Sequence, residues 1–177
     1  NKQYTEWHEH IRTIINFIND YKLKDLNKNY EKEIKIDNGF VFNNFYTPIY
    51  YASTSDGEYT NLTGLLPTEG TWSMIKSSNN NMKYSLPAMF KTNDYKTYAY
   101  HNNTYNFYNR DITYPNLGFE KYTACGNGLE KKINCNIWPE SDLEMLNETY
   151  NDYKNDDKFL AYYMTVSTHL NYKTTNN

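Results

Sequence analysis

Cysteine occurs only twice, at Cys125 and Cys135 in the loop CGNGLEKKINC, and neither has a His at metal-ligand spacing. That argues against zinc. The pair either closes the loop as a disulfide, as an extracellular domain allows, or stays as two thiols. No apolar run is long enough to cross a bilayer, and no signal-peptide pattern is expected in these residues. Positive charge is also in short supply. Against 21 acidic residues stand 18 Lys and Arg, for a net charge of -3. Nucleic acid, which needs a basic face, is therefore not an expected partner.

What the chain has in quantity is Asn, 27 residues, and Tyr, 20. Asn- and Lys-rich, Ala-poor usage fits an AT-rich genome, a bias rather than a function. Tyr is expected to supply core surface that Leu or Val supply elsewhere. Hydrophobic content of 38% with 22% charged residues marks a globular chain. Its 177 residues suit one domain, able to bury roughly 70% of the unfolded surface. The chain opens on NKQYTEW as an excised piece of something larger would.

Trp7, Ile11, Ile14, Ile15 and Ile18 recur at helical spacing, predicting an amphipathic helix over residues 5–22. Asp37-Asn38-Gly39 reads as a turn, with a strand in the GFVFNNFY that follows. In YASTSDGEY, residues 51–59, Ser55 and Glu58 have capping-box spacing. A helix is predicted over about 56–65, closed by Pro67. Residues 68–83 read as a polar, mobile loop. Ser85-Leu86-Pro87 opens a helix to about Asn93. Lys96 to Tyr100 is a short strand ending at His101, and residues 102–118 are a long loop with a helical turn. Ser141, with Glu144 three residues on, caps a helix to about Lys154. Lys158 to Val166 is a long apolar strand, the best candidate for a buried central one. Strands alternating with helices make the class α/β with a mostly parallel sheet.

Three polar residues share one kind of position. Thr54 follows a strand and precedes a helix, while His101 and His169 stand at strand ends. Ligands of open α/β sheets bind at the carboxyl ends of strands, so these residues can converge, with Arg110 reaching the same rim. The chemistry favours an anion. A helix N-terminus offers free N–H groups to phosphate, Arg can grip phosphate oxygens with two parallel bonds, and His can donate or shuttle a proton. Taken alone, a Thr before a helix is a turn residue, and a Thr nucleophile needs a base or a metal to ionise it.

In combination and in order, STSDGEYTNLTGLLPT, YSLPAMFKTNDYKTYAYHNNTYNFYNRDITYPNLGFEKY and FLAYYMTVSTHLNY resemble the lipoteichoic acid synthase family, sulfatase-like phosphoglycerol transferases of the alkaline phosphatase superfamily. The resemblance covers most of residues 40–172. It implies a mostly parallel sheet with flanking helices, incomplete here, so that residues 1–177 form part of an extracellular catalytic domain. Residue by residue, it implies Thr54 as nucleophile and metal contact. His101, Tyr108 and Arg110 would hold a glycerol-phosphate head group, and His169 would line that pocket. The implied cofactor is a divalent ion, Mn2+ or Mg2+. The implied donor is a phospholipid such as phosphatidylglycerol, and the acceptor a glycerophosphate polymer or glycolipid. The implied place is the extracellular face of a bacterial membrane, in a membrane-anchored parent.

The match departs at Ser53, where the family often has Lys, at Asn102, where it has Gly, and at Tyr108, where it commonly has Trp. No G-D-H segment occurs, and the strand carrying the metal-binding Glu would precede residue 1 or be replaced here. The remaining metal ligands are expected outside the chain, and the isolated chain is expected to be inactive. Sulfatase chemistry is disfavoured, because the C/S-x-P-x-R pattern is absent. The alternatives are a phosphoethanolamine transferase, a phosphodiesterase, or an envelope-binding module that has lost its metal site.

Overall fold

Three parallel strands position everything that follows. The structure, a computed structural model, describes residues 53–167 and 169. The expected helix over residues 5–22 and the strand after Gly39 lie outside these. Strand β1 (Lys96–Thr104) pairs in parallel with β2 (Lys121–Cys125) on one side and with β3 (Phe159–Met164) on the other. The order is β2-β1-β3, so β1 is central in the described sheet. Lys158 to Val166, expected to be central, supplies an edge strand of it. The sequence reading had no strand at Lys121–Cys125, where only five residues precede the Gly-rich loop.

Alternation along the strands builds two cores. Ala99, Leu160, Tyr162 and Met164 face one side, with Leu62, Tyr114 and Leu117. Tyr100, Ala161 and Tyr163 face the other, with Leu129, Ile133 and Met145. A strand buried on both faces needs apolar surface at every position, and here much of it is Tyr. Tyr100, Tyr114, Tyr162 and Tyr163 are essentially inaccessible. Each buried hydroxyl then needs a partner. Tyr163 Oη finds Thr149 Oγ1 at 2.8 Å and Tyr153 Oη at 2.9 Å.

Helix α1 (Thr54–Thr63) begins two residues earlier than the capping-box reading places it. The N-cap is Ser53, not Ser55. Its N–H donates to Asp56 Oδ2 at 3.3 Å and its hydroxyl to the same oxygen at 3.2 Å. Glu58 is thereby released from any capping duty. The expected mobile loop contains a one-turn helix, α2 (Ser73–Lys76), whose first N–H donates to Asp56 Oδ1 at 2.9 Å. Helix α3 (Leu86–Lys91) starts where expected, with Ser85 Oγ accepting from Ala88 N at 3.3 Å. It presses on Gly118, where φ is +98° and a Cβ would meet Ala88 Cα at 2.7 Å. Helix α4 (Arg110–Asn116) crosses from β1 to β2, and α5 (Asp142–Thr149) from β2 to β3. Tyr114 and Leu117, at and just beyond the end of α4, pack on the first face, and Met145 of α5 on the second. Among the described residues no helix is long and apolar enough to cross a membrane.

Cys125 and Cys135 form a disulfide across a sequence separation of 10, which resolves the two readings left open by the sequence. Closing a loop of that size contributes about 3 kcal/mol in the chain-entropy picture. The paired Cys125→Ser and Cys135→Ser variant should lose about that much in urea denaturation. An unchanged midpoint would show that the Leu129 and Ile133 packing holds the loop unaided.

Candidate active site

The order of the strands already marks a place. The chain leaves β1 in one direction to make β2 and returns past it to make β3. In open α/β sheets ligands bind at the carboxyl ends of the strands where the winding reverses, here between β1 and β3. His101 lies beside that reversal, paired in register with Met164. It sits inside β1 rather than at its end, because the strand runs on to Thr104. Between these two residues the register with β2 shifts, a bulge of the kind that re-aims side chains beside sites.

His101 is buried, and its Nδ1 lies 2.9 Å from Met164 O. A carbonyl can only accept, so Nδ1 carries the proton and Nε2 is free to accept. Arg110 Nη1 lies 3.5 Å from that Nε2. Burial, and then the Arg110 charge, push the imidazole down to about 3, so it is neutral.

Arg110 is the first residue of α4, and its guanidinium turns back under the sheet end. Nε donates to Glu58 Oε2 at 3.1 Å, Nη2 donates to Glu58 Oε1, and Nη1 donates to Phe107 O at 3.0 Å. Tyr114 Oη also donates to Glu58 Oε2. Of five guanidinium N–H groups, this leaves one on Nη2. The parallel fork expected for phosphate is engaged by a carboxylate. Burial alone would lower the Arg110 pKa, and Glu58 more than offsets that.

Thr54 enters through the same carboxylate. Thr54 and Glu58 are four residues apart on α1 and share a face, about 6 Å apart along the axis. Thr54 is half-buried, and among the described residues its hydroxyl has no hydrogen-bond partner. The N–H groups of Asp56 and Gly57 both turn to Ser53 O, at 3.1 Å. Those of Thr54 and Ser55 are left at the open, electropositive end of the helix.

Tyr108 closes the other side. It and Asn109 both have left-handed backbones, φ +58° and +57°, which costs roughly 1–2 kcal/mol per residue for side chains with a Cβ. The kink lays the Tyr108 ring 5.3 Å from the Arg110 guanidinium carbon and edge-on to Trp72 at 5.4 Å. Trp72 and Phe107 remain about half exposed beside it. His169 stands beyond β3, half-buried, its ring edge-on to Trp138 at 5.4 Å and its N–H on Val166 O at 2.8 Å. The structure thus groups His101, Tyr108 and Arg110 directly and brings in Thr54 through Glu58. Sequence reasoning missed Glu58 as part of this site, and its i+4 spacing from Thr54 was the available signal.

Among the described residues no three His, Cys, Asp or Glu side chains come together to hold a metal. The Thr54 hydroxyl, expected to be a metal contact, makes no hydrogen bond among the described residues, and these do not complete a metal site.

Three parallel strands with flanking helices, wound in both directions from β1, match the sulfatase-like fold. A sulfatase family profile matches residues 18–176, and the chain belongs to that family. It is 28% identical over 114 residues to lipoteichoic acid synthase 2 of Bacillus subtilis (strain 168), a match covering 63% of this chain and 17% of that protein. The crystal structure of the lipoteichoic acid synthase LtaP from Listeria monocytogenes superposes with a TM-score of 0.62 at 31% identity, covering 72% of this chain and 32% of that one. The chain therefore spans less than a third of the length of either relative.

Proposed function

We propose that the protein to which this chain belongs transfers a phosphoglycerol-type group. The donor is a phospholipid such as phosphatidylglycerol, and the acceptor a glycerophosphate polymer or glycolipid at the outer face of a bacterial membrane. The observation that carries this reading is Thr54 in the first turn of α1, its hydroxyl without a hydrogen bond among the described residues, one turn from the buried Glu58–Arg110–His101 chain. Two relatives named as lipoteichoic acid synthases support the choice of substrate class.

Thr54 Oγ1 gives up its proton and attacks phosphorus, the phosphorus–oxygen bond to diacylglycerol breaks, the leaving oxygen takes up a proton, and a phosphothreonine diester remains. The acceptor hydroxyl then attacks the same phosphorus and releases Thr54. A divalent ion bound at Thr54 would supply a lowered hydroxyl pKa and charge neutralisation at the phosphoryl group. The Thr54 and Ser55 N–H groups at the helix end would donate to the phosphoryl oxygens. Arg110 contributes its remaining Nη2 N–H and its charge. The Tyr108 ring forms an apolar wall for the glycerol, and His169 lines the rim.

Thr54→Ala in the complete protein tests the reading. Wild-type protein incubated with phosphatidylglycerol should release diacylglycerol and carry a glycerophosphate adduct visible by mass spectrometry. The variant should lose both, with turnover down at least about a thousandfold, the scale seen when a nucleophile is removed. An adduct that persists in the variant sinks the assignment. Turnover of phosphatidylethanolamine offered in parallel, with none of phosphatidylglycerol, would move the head group, not the nucleophile.

A further inference from the structure

On the sheet face opposite His101, a second set of polar groups ties the carboxyl ends of β1 and β3 together. Asn102 is fully buried, and its Nδ2 donates to Asp142 Oδ1 at 2.8 Å and to Glu140 O at 3.3 Å. Asp142 Oδ1 also accepts from Val166 N at 2.8 Å, and Oδ2 accepts from Ser167 N at 2.9 Å. Ser167 Oγ accepts from Asp142 N at 2.8 Å and donates to Glu140 O at 3.0 Å. Val166 O then receives the His169 N–H at 2.8 Å. The turn from β3 to His169 hangs on one carboxylate.

Physical chemistry makes that carboxylate a strong anchor. Hydrogen bonds from backbone N–H to an ionised group are roughly twice as strong as neutral ones. Asp142 is also the first residue of α5, where the helix dipole favours negative charge. The demand of Asp142 for a donor sets the Asn102 amide as well. Asn102 Oδ1 is buried without a partner among the described residues, which costs about 1–3 kcal/mol. Turning the amide over would place an oxygen against the Asp142 oxygen and lose the bond between them.

We infer that Asp142 is a positioning residue for the proposed head-group site: its carboxylate fixes the Val166–Ser167 turn and so presents the His169 imidazole at the rim. The functional consequence rests on the head-group reading above, and the geometry rests on the bonds just given. Asp142 touches neither substrate nor reacting atoms and acts through His169.

The test is Asp142→Asn in the complete protein. Asn retains one oxygen but turns an NH2 toward the Ser167 N–H, donor against donor. The His169 imidazole resonances, identified by their loss in His169→Ala, should shift and broaden in Asp142→Asn. KM for the donor lipid should rise about tenfold with kcat little changed, the pattern of a lost binding contact. Adding Asp142→Asn to His169→Ala should then have no further effect on KM, because coupled residues are not additive. Should Asp142→Asn fail to fold, Ser167→Ala removes one link of the same turn and should move the same resonances less. Unchanged His169 resonances in a folded variant, or additive effects on KM, would overturn the inference. A wild-type protein that turns over no phospholipid would refute the head-group reading instead, and the resonances would still decide the positioning role.

Discussion

Replacing Glu58 with Ala should lower stability by about 3–5 kcal/mol, because it strands the Arg110 charge in the protein interior. The Arg110 and Glu58 side chains are only 1% and 3% exposed. Two of the guanidinium bonds end on that carboxylate, and the Tyr114 hydroxyl ends there too. Removing Glu58 leaves three buried donors without their acceptor, each costing free energy until water enters or the helices part. Urea denaturation of the variant measures the loss. Lys96→Ala is the control. It breaks an ion pair with Asp156 in which the Lys side chain is 61% exposed, and it should leave the midpoint nearly unmoved. The double replacement Glu58→Leu with Arg110→Met should recover much of the loss, since the penalty comes from one charge left alone rather than from the absence of a pair. A Glu58→Ala midpoint no lower than that of Lys96→Ala would mean that this pair does not anchor α1 to α4.

The same pair shows where the sequence was legible and where it was not. Local signals worked where the physics is local. Ser85 and Ser141 cap helices as read, because a cap is decided within four residues. The α/β class followed from alternation, and of the residues singled out in the ordered family segments, His101, Tyr108 and Arg110 lie together. What failed depended on distant partners. In STSDGE either Ser can be the cap, and the choice fell to Ser53 because Asp56 also binds the start of α2, 17 residues on. Glu58 looked like a capping residue because its true partner, Arg110, is 52 residues away. The short β2 was hidden because a five-residue strand beside a Gly-rich loop has too little pattern to read. The left-handed backbone at Tyr108 left no mark, since an aromatic side chain gives no signal for it, whereas Asn109 is of a type that tolerates it. Strain of that kind is sustained by the surrounding contacts.

Acid should unfold the protein partly through His101. The imidazole is held at about 3 in the folded state, against an ordinary value of 6.5, by burial and then by the Arg110 charge. Between those values the unfolded chain binds a proton that the folded protein refuses. Stability is therefore complete above the ordinary value and falls as pH drops through the window, by roughly 1.4 kcal/mol per pH unit and about 5 kcal/mol in all. Carboxylates also titrate in acid, so the quantity to read is the difference between wild type and His101→Gln. Gln has an amide N–H to donate to Met164 O, no proton to gain in this range, and an oxygen to offer Arg110. Urea midpoints taken from neutral pH down to about pH 4 should fall more steeply for wild type, with the two curves converging as pH drops. Parallel curves would mean that the folded protein accepts the proton, and hence that His101 Nε2 is open to water. The consequence reaches the chemistry. A protonated His101 would place a second positive charge against Arg110 and lose its acceptor. The buried chain from Glu58 through Arg110 to His101 keeps its geometry only while that imidazole stays neutral.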